Sequence, residues 1–148
     1  MSIKDGEFLL AMNATQVRNE WSSVVDSVVR ERPQFIKRTR DYLMLSNVDT
    51  IESILSVYSF HAQVFFEDDE SVTVSLDEID LVENDTDEEG ARSKISKAIL
   101  DYSDDYYNDF AYWGSGSRKS HLPYVLKALI LNDADKIGGL LECRHRES

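Results

Sequence analysis

The chain of 148 residues has few of the residues that cross-link or bend a backbone: one cysteine, two prolines and six glycines. Its single cysteine, Cys143, excludes an intramolecular disulfide framework. Apolar runs are only a few residues long, whereas a membrane-spanning helix needs about 20. With no leader-like segment either, we expect a cytoplasmic protein without a membrane partner. Hydrophobic residues make up 42% of the chain, which is enough for a buried core.

Positive charge is also scarce, and it is unevenly distributed. The chain carries 16 Lys and Arg residues and 28 Asp and Glu residues, a net charge of −12. Residues 1–60 hold 7 basic and 8 acidic side chains, whereas residues 61–148 hold 9 and 20. Because a phosphate backbone is bound mainly through Lys and Arg, this charge argues against nucleic acid as a partner of the second part. The near-neutral first part remains compatible with DNA.

The first part begins with a strand that leads into a helix. Residues 8–12 form a short apolar strand pattern, and Asn13 has the side chain of a helix N-cap, with Gln16 three residues later. Apolar residues then recur with the helical period of 3.6. The predicted inward stripe consists of Val17, Trp21, Val24, Val25 and Val28.

A basic hairpin follows this helix. Pro33 ends the helix, and residues 34–36 and 42–45 are predicted as two strands around a turn at residues 37–41. The bend itself is expected at residues 40–41, because Asp tolerates turn conformations better than most residues. A short helix is predicted after Ser46, with its apolar residues between positions 51 and 58.

This order of elements resembles the Phd/YefM family of type II antitoxins over residues 1–57. The family's capped helix start corresponds to residues 13–18, NATQVR, and its hairpin entry to residues 33–38, PQFIKR. The resemblance implies an α+β fold whose strand-helix-hairpin-helix head dimerises and binds operator DNA. It also implies that Arg18 and Arg38 contact DNA. The full candidate DNA-binding set is Thr15, Arg18, Asn19, Lys37, Arg38 and Arg40.

Residues 58–148 are predicted to form a separate acidic α+β module. A hairpin covers residues 60–76 around an acidic turn at residues 67–70, and a further short strand is expected at residues 79–82. A capping box at residues 86–89 opens a long helix. Its inward stripe is predicted to run through Ala91, Ile95, Ala98, Ile99, Tyr102, Tyr106, Phe110 and Trp113.

A last helix is predicted to start near Pro123, with Val125, Leu126, Leu129 and Ile130 turned inward. The strand-to-helix step before the long helix faintly resembles HicB-like antitoxin domains. Because hairpin and helices have matching apolar faces, we expect this module to be folded and not a disordered tail.

Four sets of side chains have both a functional and a structural interpretation. The three histidines and Cys143 could bind a metal, but surface or lightly packed histidines are the simpler reading. The aspartates Asp101, Asp104, Asp105 and Asp109 could serve catalysis or a partner, or simply form a solvated helix face. Tyrosines and tryptophan at residues 106–113 could form a partner surface or part of the core. Residues 114–117, GSGS, lack the Gly-Lys-Ser/Thr ending of a phosphate-binding loop.

The sequence therefore predicts a dimeric antitoxin of a toxin–antitoxin system. Its head, residues 1–57, is expected to bind operator DNA and repress its own promoter. Its acidic module, residues 58–148, is expected to neutralise a toxin through the four aspartates. No nucleophile–base pair is present, so no enzymatic activity, cofactor or metal is expected. The alternative is an interaction or adaptor protein that dimerises through the head and does not bind DNA.

Overall fold

The structure, a computed structural model, describes residues 10–147, with side chains up to residue 146. The predicted strand positions Phe8 and Leu9 therefore lie outside the described residues. The chain is divided into an N-terminal unit that ends at Ser53 and a C-terminal unit that begins at Ile54. The boundary expected from the sequence, after residue 57, lies a few residues later.

The N-terminal unit contains a three-stranded sheet. Its strands are β1 (Ala11–Asn13), β2 (Gln34–Arg38) and β3 (Asp41–Leu45), in the order β1-β2-β3. β1 pairs parallel with β2, and β2 pairs antiparallel with β3. The central strand therefore follows β1 in the chain only after a helical crossover, as parallel pairing requires.

That crossover consists of α1 (Ala14–Asn19) and α2 (Trp21–Arg30), which are separated at Glu20. Asn13 is the N-cap of α1, as predicted, and its side chain accepts a hydrogen bond of 2.8 Å from the Thr15 amide. Val17, Val24 and Val28 are buried. Trp21 was expected on the same stripe but is 52% exposed; it is the first residue of α2, directly after the interruption at Glu20.

The hairpin turn differs from the prediction. β2 and β3 extend to the paired residues Arg38 and Asp41, which leaves only Thr39 and Arg40 in the loop. Thr39 adopts a φ of 56°, so the left-handed residue precedes the predicted bend at residues 40–41. A β-branched residue is strained in this conformation, and the pairing of the two strands maintains it. After the hairpin, α3 (Val48–Leu55) leads from one unit into the other.

The C-terminal unit contains a four-stranded sheet of β4 (Phe60–Phe66), β5 (Val72–Leu76), β6 (Val82–Asp85) and β7 (Leu141–Glu147). The strand order is β6-β5-β4-β7, and β7 is parallel to β4. The hairpin of β4 and β5 is confirmed. The third strand was expected at residues 79–82 but is β6, at Val82–Asp85. Ile79 lies in the loop before it, where its side chain is buried. The last strand, β7, was not predicted.

The helices of this unit form one long segment and several short ones. They are α4 (Glu88–Asn108), α5 (Phe110–Trp113), a 3-10 helix (Gly116–His121), α6 (Leu122–Leu131) and α7 (Ala134–Gly139). The N-cap of α4 is Asp87 and not Thr86, because the Asp87 side chain accepts a 2.7 Å hydrogen bond from the Gly90 amide. Pro123 lies in the first turn of α6, as predicted.

The core of the C-terminal unit lies between the sheet and α4, α6 and α7. Alternate residues of β4 and β5 are buried on one face of the sheet, in agreement with the predicted alternation. They pack with buried residues of the helices, among them Ile95, Ile99, Ala128 and Ile137. α7 lies close to α4, because a Cβ on Gly138 would lie 2.9 Å from the Ser96 hydroxyl. A larger residue at position 138 would therefore push these helices apart.

Two predicted apolar faces are only partly correct. In the stripe of α4, Ala91, Ile95, Ile99 and Tyr106 are buried, whereas Ala98 and Tyr102 are half-buried. The helix ends at Asn108, and Asp109 has non-helical angles. Phe110 is consequently 48% exposed. In α6, Val125 is buried as predicted, whereas Leu126, Leu129 and Ile130 are half-buried.

We expect that a chain ending at Leu140, which lacks β7, loses most of the stability of the C-terminal unit. Its loss would expose the edge of β4 and uncover part of the core around Phe60 and Ala62, whose pairing partners are in β7. The chain has two tryptophans, so Trp21→Phe leaves Trp113 as a fluorescent reporter of this unit. In that background, urea unfolding should shift to a much lower midpoint.

The matched control is Arg146→Ala, which removes an exposed side chain but keeps the strand. Its midpoint should stay close to that of the parent protein. An unchanged midpoint for the truncated chain would contradict a structural role of β7.

Candidate functional site

Four of the six predicted DNA-contact residues, Thr15, Lys37, Arg38 and Arg40, lie at one end of the N-terminal sheet. Asn13 pairs with Lys37 in the parallel register of β1 and β2. α1 starts directly after Asn13, while the hairpin tip follows directly after Lys37. The pairing therefore brings Thr15, at the start of α1, to the same end of the sheet as Arg38 and Arg40.

The basic side chains of the hairpin tip are accessible. Arg38 and Asp41 form an ion pair of 3.7 Å with side chains 73% and 65% exposed. Such an exposed pair is weak, and a phosphate can compete for the guanidinium. The Lys37 ammonium lies 5.7 Å from the centre of the Tyr42 ring, and Arg40 is exposed.

Arg18 is exposed. Its place five residues after the predicted cap Asn13 predicts a position near the helix N-terminus, where free amides can also meet a phosphate. Instead it lies in the last turn of the six-residue α1, beside exposed Asn19. The Thr15 amide is already bonded to Asn13. Any anion contact of Arg18 must therefore come from its own guanidinium.

The four predicted partner-binding aspartates are all exposed. Asp101, Asp104 and Asp105 belong to the C-terminal half of α4, and Asp109 is the residue that ends it. The solvated-face interpretation of their helical spacing is therefore confirmed. It is equally a condition for contact with a partner.

The exposed aromatic residues next to these aspartates were not assigned to a site from the sequence. Tyr107 is 64%, Phe110 48% and Tyr112 57% exposed, although aromatic residues at helical spacing predicted mainly core. Tyr106 follows that prediction, because it is fully buried. The sequence left both a partner surface and the core open for the pairs 106–107 and 112–113, and each pair is split: Tyr107 and Tyr112 are exposed, whereas Tyr106 is buried and Trp113 is half-buried.

Arg118 lies against the aromatic residues of α5. Its guanidinium carbon is 4.8 Å from the ring centres of both Tyr112 and Trp113. Its backbone carbonyl accepts a 2.8 Å hydrogen bond from the Tyr106 hydroxyl. Trp113 also makes an edge contact with the Tyr102 ring at 5.7 Å. Arg118 therefore stabilises the α4–α5 junction in two ways. Its guanidinium packs on the rings of Tyr112 and Trp113, and its backbone carbonyl binds the Tyr106 hydroxyl.

His121 is buried next to this cluster and is not a surface residue. Its Nδ1 lies 2.7 Å from the Tyr102 hydroxyl, and its Nε2 lies 3.8 Å from the Asp80 carboxylate. Burial lowers the pKa of His121, and the Asp80 charge offsets this only in part. Burial likewise raises the pKa of Tyr102. We infer that His121 is neutral near pH 7 and that its Nδ1 accepts a hydrogen bond from the Tyr102 hydroxyl.

His61 and His145 link other parts of the C-terminal unit. His61 lies 2.8 Å from carboxylate oxygens of both Glu78 and Glu142. The hydrogen bond to Glu78 is the main reason that the pKa of His61 is raised. His145 bonds to Glu88 and stacks on the Phe66 ring, so it connects β7 to the start of α4 and to the end of β4.

Metal binding finds no support among residues 10–147. The Cys143 thiol is half-buried, and burial raises its pKa. Within this part of the chain, no three His, Cys, Asp or Glu side chains gather closely enough to hold a metal ion. The described helices also include none with the length and apolar character needed to cross a membrane.

Comparison with known proteins decides the family. Residues 8–143 match the PHD-like family, described as "Antitoxin of toxin-antitoxin, RelE / RelB, TA system". The chain belongs to this antitoxin family. A crystal structure of an antitoxin part of a proposed toxin/antitoxin system from Syntrophomonas wolfei subsp. wolfei is similar throughout. It has 33% identity and a TM-score of 0.85, over 92% of this chain and 99% of that one. No curated protein gave a significant match.

The antitoxin family implies a toxin as the partner of this protein. Because the match extends to residue 143, it includes the acidic C-terminal unit as well as the head. The basic hairpin tip of the head and the acidic face of α4 therefore both lie within the part of the chain that matches the family. The finer assignment to Phd/YefM proteins, and the faint HicB-like resemblance, remain predictions from the sequence.

Acidification should act on the antitoxin through two histidines with opposite signs. The pKa of His121 is lowered from 6.5, so its contribution to stability is present above pH 6.5 and is lost as the pH falls through the folded value. The pKa of His61 is raised, so its contribution is present below pH 6.5 and is lost as the pH rises through the folded value.

His121→Asn keeps an acceptor for Tyr102 and should reduce the loss of stability between about pH 6.5 and pH 5. His61→Gln should instead lower the stability below pH 6.5 and remove the gain in stability that the parent protein shows as the pH falls to about 6.5 from above the folded pKa of His61. Urea midpoints in the Trp21→Phe background, measured on both sides of pH 6.5, test both signs. Parallel pH profiles for the two variants would contradict these assignments.

Proposed function

We propose that this antitoxin is a homodimeric repressor that binds the operator of its own promoter and neutralises its toxin through the C-terminal unit. The observation that carries the DNA-binding half is the register of β1 and β2. It gathers the start of α1 and the basic hairpin tip at one end of the sheet. Like the sequence, the proposal assigns no enzymatic activity, and it places the protein in the cytoplasm, where operator DNA lies.

Charge supports the division of labour between the two units. Residues 1–60 are nearly neutral, and their exposed Arg38 and Arg40 lie together at the hairpin tip. Arg and Lys at such a tip contact phosphates, and Arg can also read guanine in the major groove. The remaining 11 net negative charges of residues 61–148 repel DNA. Binding therefore depends on a few well-placed contacts, which favours a specific operator over random DNA.

Within its described residues, from Leu10 onward, the head has only a small core. Its hydrophobic cluster consists of three buried valines with Met12, Ile36 and Leu45 packed against them. On the other sheet face, Phe35 and Met44 are paired neighbours, and Met44 is 46% exposed. A groove of about 250 Å³ beside them is lined by apolar and polar residues, Leu10 and Pro33 among them. Covering this face with a second copy would supply the missing burial.

The C-terminal unit is proposed to hold the toxin. Asp101, Asp104, Asp105 and Asp109 present carboxylates on the accessible side of α4. α4 is packed against the sheet on its other side, so its acidic residues have a fixed geometry before any partner arrives. Preorganisation of this kind reduces the entropy lost on binding.

If the head dimerises through this sheet face, Met44→Asp should convert the protein to a monomer, because the interface would bury an unpaired charge. Val82→Asp provides the control, since Val82 is 60% exposed on β6 in the C-terminal unit. Light scattering at micromolar concentration should give a dimer for the parent protein and for the control. A monomeric parent protein would refute the homodimer.

Operator binding should depend on Arg18 and Arg38. Each change to alanine should weaken binding to the upstream DNA by about 1–3 kcal/mol if the side chain reads a base. Lys37→Ala should mainly lower the slope of log K against log salt, by about one, as loss of a phosphate contact does. Gel-shift or anisotropy titrations over several salt concentrations measure both quantities.

Arg30→Ala is the matched control for operator binding, because Arg30 is an exposed basic residue at the end of α2, outside the proposed surface. It should leave affinity nearly unchanged. If the parent protein binds its own promoter no better than a random duplex at physiological salt, the repressor proposal fails. A dimer without DNA binding would instead fit an adaptor protein.

A further inference from the structure

A ridge on α4 combines negative charge with exposed aromatic surface. Asp101, Asp104 and Tyr107 follow one another at intervals of three residues, which places them along one side of the helix. Phe110 begins α5 immediately after the break at Asp109. We call these four residues, Asp101, Asp104, Tyr107 and Phe110, the acidic-aromatic ridge.

The aromatic members of the ridge are exposed, and Phe110 is also packed against a buried ring. Tyr107 is 64% and Phe110 48% exposed, yet Phe110 makes an edge contact of 5.8 Å with the ring of fully buried Tyr106. Tyr106 in turn bonds through its hydroxyl to the Arg118 carbonyl. Phe110 is therefore packed along one edge, and both rings present aromatic surface of the kind that is enriched at the energetic centre of protein interfaces.

The same region shows which cation suits such surface. The Arg118 guanidinium lies 4.8 Å from the centres of two rings, Tyr112 and Trp113. A planar guanidinium stacks on aromatic faces and is weakly hydrated, whereas an ammonium holds its water more tightly. On the ridge, Tyr107 and Phe110 offer comparable aromatic surface, and carboxylates lie one and two turns away.

We propose that the acidic-aromatic ridge is the docking surface for an arginine-bearing segment of the partner protein. The aspartates attract the cation and pair with it, while Tyr107 and Phe110 contact the guanidinium plane and the apolar stem of the side chain. Nucleic acid is the less suitable occupant, because the rings could stack on bases but the carboxylates would repel every phosphate. This inference deepens the proposed function and rests on it.

The test uses the full-length protein and peptides of defined charge. Capped hexa-arginine, capped hexa-lysine and a 20-nucleotide oligo-dT are titrated into the Trp21→Phe protein at physiological salt, with calorimetry for affinity and amide NMR shifts for location. Hexa-arginine should bind about two- to fivefold more tightly than hexa-lysine, because only the guanidinium stacks well. The shifted amides should centre on Tyr107 and Phe110. Oligo-dT should leave the amides of Tyr107 and Phe110 unshifted, wherever else on the protein it binds.

Two pairs of substitutions separate the ridge from general acidity. Tyr107→Ala with Phe110→Ala should weaken hexa-arginine binding about tenfold and abolish the preference for arginine over lysine. Asp101→Asn with Asp104→Asn should weaken both peptides. The matched control, Asp68→Asn with Glu70→Gln, removes the same charge from the exposed β4–β5 turn and should change affinity less than about twofold. Urea unfolding verifies that each variant is folded.

The proposal is overturned if both peptides bind equally well, if the control pair weakens binding as much as the ridge pair, or if oligo-dT and not hexa-arginine shifts the amides of Tyr107 and Phe110. Its failure can be distinguished from that of the proposed function with the toxin encoded beside the antitoxin gene. A toxin bound equally by parent and Tyr107→Ala/Phe110→Ala protein refutes the ridge but not neutralisation. A toxin that the parent protein does not bind refutes neutralisation, whatever the peptides do.

Discussion

The parallel pairing of β7 with β4 is the constraint on which the C-terminal unit depends. It joins residues 60–66 to residues 141–147 and therefore closes a loop that contains every helix from α4 to α7. Parallel strands require such a crossover, and here the crossover places α4 against the inner face of the sheet. One side of α4 is consequently buried and rigid, and its acidic and aromatic residues on the other side are displayed in a fixed arrangement.

The two units differ in how many apolar side chains they bury. The C-terminal unit has a core of twelve buried residues drawn from sheet and helices, together with side chains packed around it. The N-terminal unit has three buried valines and several exposed apolar residues, among them Leu10, Trp21 and Met44. A small unit with unburied apolar surface gains most from a second copy. A second copy would also suit the proposed repressor, because a dimer doubles a small set of basic contacts along one operator.

Much of the fold could be predicted from local patterns. Asn13 as a cap, the alternation in β4 and β5, and Pro123 at the start of α6 all follow from a residue and its near neighbours. The errors arise where a local pattern is interrupted or where the pairing partner is distant in the chain. Trp21 fits the helical period but follows an interruption at Glu20, and β7 has a charged, polar sequence whose pairing partner lies about eighty residues earlier. In the candidate sites, the basic and acidic residues could be named, whereas Tyr107 was open between a partner surface and the core, and Phe110 was expected in the core.

By itself, the sequence determined the division into a near-neutral head and an acidic second part, the order of the main helices and hairpins, and the resemblance to antitoxins. These properties depend on composition and on contacts within one turn or one hairpin, which short stretches of chain specify. Tertiary structure alone decided that the C-terminal segment is a strand, that His121 is buried beside Tyr102, and that the start of α1 lies at the same end of the sheet as the hairpin tip. Those outcomes depend on partners far apart in the chain, whose pairing is selected by the burial and hydrogen bonding of the whole unit and not by any local pattern.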